Sequence, residues 1–290
     1  GSFQVPENYV GSTGATGTDI EVNYNDHRDS SGNTIEVGDG ASIRANTGSV
    51  SFDRSVYPVP FDADDFSEHS TAPGSNDLPA GSVIVHISIE DADNDVSAFG
   101  EDSISSSLID VKISRGSLVS ANLASTTATI LETAPSSGIF EYDLTLASNV
   151  IASSGSGATA FAAGAVINQG DIITVTYSDP QDASGKAQTV TDSSSFDLRN
   201  GTLQADKSVY LIGSDMILTL IEPDFDLDND ETESYTLNLI EWDSDAAETV
   251  LGAGGDDSNA TNAAAFDPEP SQFRETGDST GIFQVVIEIP

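Results

Sequence analysis

The sequence predicts an all-β protein made of tandem β-sandwich modules, and three observations lead to this prediction. Apolar and polar residues alternate in several segments, which is typical of strands with one buried face. Long stretches of the chain recur at a fixed spacing, which is typical of an array of similar modules. No segment has a helical period of any length, so helices are not expected.

The strand prediction rests on apolar residues that recur at every second position. Polar residues such as Glu141 and Thr174 fill the gaps between them, and clusters of Ser, Thr, Asp and Gly separate the segments. The clearest segments are 83–89, 140–146, 173–177 and 283–289. We expect a sandwich with Greek-key connections and, once the insertions at 62–79, 151–165 and 252–265 are discounted, of immunoglobulin-like size.

The repeat is visible in paired segments of the chain. DIEVNYNDHRDSSGN at 19–33 reappears as IITVTYSDPQDASGK at 172–186, and TGSVSFDRSVY at 47–57 reappears as NGTLQADKSVY at 200–210. A third pair consists of ETAPSSGIFEYDL, which begins at Glu132, and ETGDSTGIFQVVI, which begins at Glu275. Arrays of this kind are usually architectural.

The order of the repeated pieces predicts the domain organisation. Residues 48–200 contain one complete module, 201–290 contain a module without its last strands, and 1–47 contain only closing strands. We therefore expect 1–47 to complete 201–290, either in the same chain or in a neighbouring molecule, where the exchange would propagate a filament or lattice. The alternative is that the boundaries are arbitrary and that both ends fray.

Composition limits the partners of the protein. Its 290 residues include 48 acidic and 9 basic side chains, for a net charge of -39, so neither nucleic acid nor an anionic lipid surface is an expected partner. Such a charge fits a halophilic surface, a binder of polyvalent cations or a partly disordered chain; the apolar runs and 12 Phe disfavour disorder. The absence of cysteine excludes disulfides and thiolate sites. No run approaches the roughly 18 apolar residues of a membrane span, so no membrane insertion is expected.

Two acidic runs follow equivalent predicted strands and predict cation sites. Alternate aspartates would repel one another along a continuing strand, but a looped backbone lets them converge on one hard cation such as Ca²⁺. The residues are Asp224, Asp226, Asp228 and Asp230 after MILTLIE, and Asp91, Asp93 and Asp95 after VIVHISI. A true EF-hand is rejected because the turn glycine and the distal glutamate are missing. The alternative is that these aspartates are solvated turn residues.

A second acidic motif, Y-x-D-x-x-D-x-x-G, also occurs twice. It is interpreted either as a hairpin whose Asp caps the turn and whose Gly adopts positive φ, or as a second cation site. Its aspartates are Asp26, Asp29, Asp179 and Asp182. Glu132 and Glu275 are expected to accept backbone hydrogen bonds beside a glycine turn, with a carboxylate offered to a cation as the alternative.

The sequence offers little that predicts catalysis. The three histidines, His27, His69 and His86, are scattered and have no zinc-protease spacing, and His86 is expected to be exposed on its strand. There is no nucleophile elbow and no phosphate-binding glycine loop. We therefore predict that the protein is not an enzyme.

Taken together, ADKSVYLIGSDMILTLIEPDFDLDND, ETGDSTGIFQVVIEI and GDIITVTYSDPQDASG resemble the repeats of surface-layer proteins from ammonia-oxidising archaea. The resemblance covers both modules and most of the chain apart from the insertions. It implies immunoglobulin-like domains in a secreted archaeal protein that tiles the cell surface, with calcium holding modules and subunits together. By position it assigns cation binding to the aspartates 224 to 230 and, with a shorter loop that lacks the proline, to Asp91, Asp93 and Asp95.

Three hypotheses for the function follow. The first is a calcium-stabilised structural protein of the cell exterior that self-assembles. The second is an extracellular adhesin or pilus-like binding module, in which the insertion 62–79 or the loop 252–265 would carry recognition. The third is an accessory domain of an extracellular hydrolase, which would need a catalytic module that the sequence does not contain.

Overall fold

The computed structural model describes residues 17–62, 80–125, 127–149, 151, 160–162, 165–243, 248–250 and 269–289. Within these ranges the chain forms β-strands and no α-helix, so the prediction of an all-β protein is confirmed. The only helical pieces described are 3-10 turns, and none of them has the length and apolar character needed to cross a membrane. Most of the insertions 62–79, 151–165 and 252–265 lies outside the described residues.

The strands are numbered in chain order. They are β1 (Asp19–Asp26), β2 (Ile35–Ser42), β3 (Ser49–Phe52), β4 (Val56–Pro58), β5 (Val83–Glu90), β6 (Ser103–Ser105), β7 (Ile109–Arg115), β8 (Leu118–Val119), β9 (Thr129–Glu132), β10 (Ile139–Leu146), β11 (Ile172–Asp179), β12 (Gln188–Asp197), β13 (Thr202–Ala205), β14 (Asp215–Ile221), β15 (Ser234–Tyr235), β16 (Glu241–Asp243), β17 (Glu248–Val250), β18 (Glu269–Glu275) and β19 (Ile282–Glu288). The 3-10 turns are Ser106–Leu108, Pro223–Phe225 and Leu237–Leu239.

Strands β3 to β12 form two five-stranded sheets that share one hydrophobic core. The strand orders are β3-β5-β10-β9-β6 and β4-β12-β11-β7-β8. The predicted alternation is seen directly, because the core residues of β10 and β11, such as Phe140 and Ile173, alternate with more exposed ones. This arrangement is compatible with a β-sandwich, and its immunoglobulin-like character stays a prediction.

A third five-stranded sheet repeats the first of these two. Its order, β13-β14-β19-β18-β15, matches β3-β5-β10-β9-β6 strand for strand. The register is repeated as well: Glu90 lies opposite Ile139 in the first sheet, and Ile221 lies opposite Ile282 in the third. The remaining described strands of this region, β16 and β17, pair with each other. Within 200–243, 248–250 and 269–289, no strand corresponds to β11 or β12.

Strands β1 and β2 form a separate hairpin that is a copy of β11 and β12. The two hairpins are paired in the same register over eight positions. Their surroundings differ: Val175 and Tyr177 of β11 are fully buried, whereas their counterparts Val22 and Tyr24 of β1 are 55 % and 66 % exposed. An apolar row that is buried in one copy therefore faces solvent in the other.

The repeated Asp and Tyr of the opening segment have the same structural role in both modules. The Tyr57 hydroxyl donates to the Asp53 carboxylate, and the Tyr210 hydroxyl donates to Asp206 at 2.7 Å. Each carboxylate also accepts a backbone N–H from the neighbouring strand β5 or β14. The motif thus fastens the loop after the first strand to the second strand, which explains its recurrence.

Every described ladder joins strands of one group: β1 with β2, β3 to β12, or β13 to β19. These groups lie within the segments 1–47, 48–200 and 201–290. The division of the chain into domains at these boundaries stays a prediction.

Candidate metal centres and the junction between the modules

The two acidic loops begin in the same way. Each starts with a carboxylate that accepts a hydrogen bond from its own loop: Asp91 accepts the N–H of Asp93 at 2.9 Å, and Glu222 accepts the N–H of Asp224 at 3.3 Å. The structure therefore establishes which residues correspond. The pairs are Asp91 with Glu222, Asp93 with Asp224, and Asp95 with Asp226.

The glycine before Ile-Phe in the repeated segment ETGDSTGIFQVVI lets a turn approach the acidic loop closely. Gly281 has φ of 57°, and a Cβ atom there would lie 2.8 Å from the Cα atom of Pro223. Its N–H donates to the Glu275 carboxylate at 2.8 Å, and its carbonyl accepts the N–H of Glu222 at 2.8 Å. A residue with a side chain would be strained and would push the loop away.

The first carboxylate cluster consists of Asp95, Asp102 and Glu132, each of which offers one oxygen within 4.8 Å of the others. Glu132 is buried and accepts the backbone N–H groups of Asp102 at 3.0 Å and Gly138 at 2.7 Å. These hydrogen bonds, the Asp102 bond foremost, lower the pKa of Glu132. Asp102 in turn accepts, at 2.7 Å, the N–H of Val96, which is the residue directly after Asp95.

The second cluster is built in the same way from the corresponding residues Asp226, Glu233 and Glu275. The Glu275 carboxylate accepts the N–H of Glu233 at 3.3 Å, as Glu132 does from Asp102. Glu233 accepts the N–H groups of Leu227 at 2.9 Å and Asp228 at 2.7 Å. Each module therefore brings three carboxylates together through the same set of backbone contacts.

The second cluster carries more negative charge than its hydrogen bonds satisfy. Burial and, after it, a hydrogen bond between the Glu233 and Glu275 side chains raise the pKa of Glu233 to about 8. When Glu233 is ionised, its buried Oε2 atom accepts no hydrogen bond from the described residues. Burial also raises the pKa of Asp226 against the opposing effect of Arg54. Such a site favours a bound proton or cation over a set of bare carboxylates.

The other predicted residues of the second loop lie outside this cluster. Asp224 accepts the N–H of Arg199 at 2.8 Å, and burial raises its pKa. Asp228 and Asp230 turn towards His86, at 2.9 Å and 4.0 Å from its ring nitrogens. Of the four predicted aspartates, only Asp226 is a member of the three-carboxylate group. Asp230 belongs to a different group of possible metal ligands, with His86 and Glu141, whose ligand atoms lie within 4.8 Å of one another.

The predicted residues of the first loop and the nearby Asp179 are likewise not all in one cluster. Asp91 is buried and accepts the Tyr177 hydroxyl at 2.7 Å, and Asp93 accepts the backbone N–H of Asn46 at 3.0 Å. Asp179 is buried and accepts the N–H of Gly48 at 2.9 Å. Asp95 alone joins the carboxylate cluster of this module.

The Y-x-D-x-x-D-x-x-G motifs form the hairpin turns expected of them. Asp29 accepts the N–H groups of residues 31 and 33, each at 2.8 Å, and Asp182 accepts those of residues 184 and 186. The N–H of Asn33 does most to lower the pKa of Asp29, and the hydroxyl of Ser184 does most to lower the pKa of Asp182. Gly32 and Gly185 follow with φ of 82° and 79°. Asp26 accepts the N–H of residue 28 at 3.0 Å, within the same turn.

Sequence reasoning missed Asp102 and Glu233, although a signal was present. Asp95 and Asp102 are separated by the same number of residues as Asp226 and Glu233. The equivalence was hidden because one loop carries aspartate and the other glutamate at this position. The match between Glu132 and Glu275 was recognised, and both accept the expected backbone hydrogen bonds.

The acidic loop of the second module forms its junction with the first module. Arg54 donates to the Asp226 carboxylate at 2.6 Å, and both side chains are nearly buried. The N–H of Ile84 donates to the Leu227 carbonyl at 2.9 Å, and the Leu227 side chain packs against both hydrophobic cores. One cluster residue thus serves both the candidate metal centre and the junction.

His86 completes this junction, and the expectation that it is exposed is wrong. It is 8 % exposed, with its ring between Asp143 of the first module at 2.8 Å and Asp228 of the second at 2.9 Å. The polar face of β5 is covered because the acidic loop docks on it. Burial lowers the pKa of His86, but the bonds to Asp228 and Asp143 outweigh this and raise the pKa to about 9, so the ring is charged at neutral pH.

Replacing His86 by glutamine is therefore expected to weaken the junction. Glutamine retains a hydrogen-bond donor but removes the positive charge between two carboxylates, so we expect a loss of about 1–2 kcal/mol of unfolding free energy at pH 7. Urea denaturation measures the loss. His27→Gln, in the β1–β2 turn, is the control and should have no effect. An equal loss of unfolding free energy in both variants would show that His86 does not stabilise the junction.

Comparison with known proteins does not assign the chain to a family, because no protein-family model and no curated protein matches it.

Proposed function

We propose that this protein is a structural component of the cell exterior, in which calcium-stabilised immunoglobulin-like modules assemble into a surface layer or filament. The observation that carries the proposal is the repetition of one three-carboxylate cluster at corresponding positions of two modules. A solvated turn does not require three acidic side chains to converge twice on equivalent backbone contacts. A cation at each cluster supplies the physical reason.

The donor set fits calcium. Calcium takes six to eight oxygen ligands in flexible geometry, and carboxylates supply them in mono- or bidentate form. Asp226, Glu233 and Glu275 offer only oxygen, and the buried Oε2 atom of an ionised Glu233 accepts no hydrogen bond from the described residues. The cation would neutralise charge that otherwise opposes folding of this loop.

Calcium binding and module stacking are expected to be coupled. Asp226 belongs to a cluster and also accepts the Arg54 side chain of the preceding module. A cation that orders the loop therefore also orders the surface that docks on the next module. In a chain with a net charge of -39, bound cations further reduce the repulsion between neighbouring molecules.

Removing calcium is expected to destabilise the protein and dissociate its assemblies. At a free calcium concentration tenfold above Kd, each site contributes about 1.4 kcal/mol to the folded state. We expect the Tm to fall by a few degrees on chelation. Light scattering coupled to size exclusion should show assemblies in calcium and smaller species in chelator.

A double variant tests whether calcium acts through the carboxylate clusters or through the overall negative charge of the protein. Glu132→Gln with Glu275→Gln removes one carboxylate from each cluster, and its Tm should respond weakly to calcium. Glu21→Gln with Glu36→Gln removes two exposed carboxylates of the β1–β2 hairpin and should respond like the unaltered protein. Equilibrium dialysis that finds no calcium uptake at millimolar concentration would overturn the proposal.

A further inference from the structure

We propose that a cavity at the junction between the two modules binds a small organic amine, with its ammonium group at Asp224 and Ser148 and its hydrocarbon body against the apolar wall. The cavity has a volume of about 500 Å³, which is within the range of small-molecule sites. The inference goes beyond the proposed function, because it requires neither calcium nor assembly.

Both modules contribute to the walls of the cavity. The first module contributes residues from the segments that follow β4, β10 and β12 and from the segment that precedes β11. The second module contributes Glu222, Asp224 and Phe225 from its acidic loop. A bound molecule would therefore contact both modules at once.

Asp224 brings to the cavity a buried oxygen that has no hydrogen bond. Its Oδ2 atom accepts the N–H of Arg199 at 2.8 Å, whereas its Oδ1 atom is buried and has no hydrogen-bond partner in the described parts of the chain. The corresponding residue of the first module differs, because both carboxylate oxygens of Asp93 accept hydrogen bonds from Asn46. A cationic donor at Asp224 would offset the cost of burying this charge.

Ser148 supplies a second polar atom without a partner. The residue is 5 % exposed, and its backbone carbonyl accepts the N–H of Ile167 at 2.9 Å, but its Oγ atom forms no hydrogen bond within the described residues. Four buried side-chain atoms of the described residues lack a partner, and two of them belong to Ser148 and Asp224, which line this one cavity. A ligand that forms hydrogen bonds with both explains why they occur together.

The rest of the wall is mainly apolar and suits a hydrocarbon body. Its apolar members are Val59, Phe61, Ile167, Leu198 and Phe225. The ring centroids of Phe61 and Phe225 are 6.0 Å apart. Such a surface binds hydrocarbon, and aromatic rings also attract cations.

A metal ion alone does not fit this cavity. Asp224 belongs to none of the three-ligand groups found among the described residues, so an ion there would lack most of the six to eight oxygens that calcium takes. The carboxylates of Glu222 and Asp224 call for positive charge, the unpartnered acceptors call for N–H donors, and the apolar wall calls for carbon. A primary or secondary amine with a small hydrocarbon body combines all three.

Benzylamine is a suitable probe, because at neutral pH it is a primary ammonium group on an aromatic body. Ligand-observed NMR titration in about 0.5 M sodium chloride, which screens the general attraction of cations to an acidic protein, measures its binding. We expect saturable binding with a dissociation constant of roughly 1 mM, as is reasonable for so small a molecule. Benzyl alcohol lacks the charge and benzyltrimethylammonium lacks the N–H donors, so each should bind at least about tenfold more weakly.

Three variants connect binding to the cavity. Asp224→Asn keeps an oxygen for the Arg199 N–H but removes the charge, and it should weaken benzylamine binding at least about tenfold. Ser148→Ala removes only the hydroxyl and should weaken binding about threefold or more; it decides the test if Asp224→Asn does not fold. Asp93→Asn, at the corresponding position outside the cavity, is the control and should bind benzylamine like the unaltered protein.

Each outcome decides the inference. Saturable benzylamine binding that depends on Asp224 and Ser148 but not on Asp93 supports it. Equal binding of benzyl alcohol or of benzyltrimethylammonium overturns it, because either the charge or the N–H donors would then be irrelevant. The absence of saturable binding, or binding that is unchanged in Ser148→Ala or in a folded Asp224→Asn protein, also overturns it. None of these results bears on calcium uptake by the carboxylate clusters, which equilibrium dialysis tests separately.

Discussion

Replacing Arg54 by methionine is expected to lower the unfolding free energy by about 3–5 kcal/mol, the range for removing one partner of a buried ion pair. The guanidinium group donates to the carboxylate and to the backbone carbonyl of Asp226, and both side chains are largely inaccessible to water. Methionine fills similar space but leaves the Asp226 carboxylate buried without its counter-charge. Urea denaturation followed by circular dichroism measures the loss.

The repeat supplies a matched control for this prediction. Lys207 occupies the corresponding position in the second module, where the side chain is exposed, so Lys207→Met should change the unfolding free energy of the isolated molecule by less than about 0.5 kcal/mol. In chelator, where Asp226 holds no ion, combining Arg54→Met with Asp226→Asn should restore part of the loss, because the buried charge is then absent. Equal effects of the two single variants would show that the Arg54 pair does not hold the junction.

Replacing Glu233 by glutamine is expected to stabilise the protein in chelator and to have little net effect in calcium. In chelator at neutral pH, glutamine keeps an oxygen for the N–H groups of Leu227 and Asp228 and removes a carboxylate that burial and Glu275 disfavour. We expect a gain of about 1–2 kcal/mol, discounted for partial exposure of the group. In calcium the same variant lacks a ligand and does not receive the stabilisation of about 1.4 kcal/mol expected from the ion, which cancels most of this gain.

Thermal unfolding of both proteins in calcium and in chelator measures this difference. Glu231→Gln is the control, since this neighbouring side chain is exposed and belongs to neither cluster. Its effect should be small and independent of calcium. A Glu233→Gln protein that is stabilised equally under both conditions would show that repulsion alone, and no cation, governs the cluster.

The strands and their repetition could be predicted because both depend on local patterns. Burial at every second residue leaves an alternating sequence, as in β10 and β19, and a repeated module leaves repeated turns. The aspartate-capped turns at Asp29 and Asp182 were predictable for the same reason, since each carboxylate bonds backbone groups within four residues. Contacts that close within a few residues are visible in the sequence.

The composition of the carboxylate clusters was only partly predictable. The sequence drew attention to the run from Asp224 to Asp230, but the loop turns after Asp226, so that residues 228 and 230 point towards His86. Glu233 and Asp102 lie after the obvious runs and join the clusters through hydrogen bonds to the loop backbone. Spacing along a run does not specify where an irregular backbone directs each side chain.

The sequence by itself determined the strand pattern, the module repeat and the position of the acidic loops, because each depends on residues that are neighbours along the chain. Only the tertiary structure decided that Asp226 lies with Glu233 and Glu275, that the same residue reaches Arg54, and that His86 is buried between two modules. These contacts join segments that are far apart in sequence. Their geometry depends on how complete sheets pack against one another, and no local pattern records it.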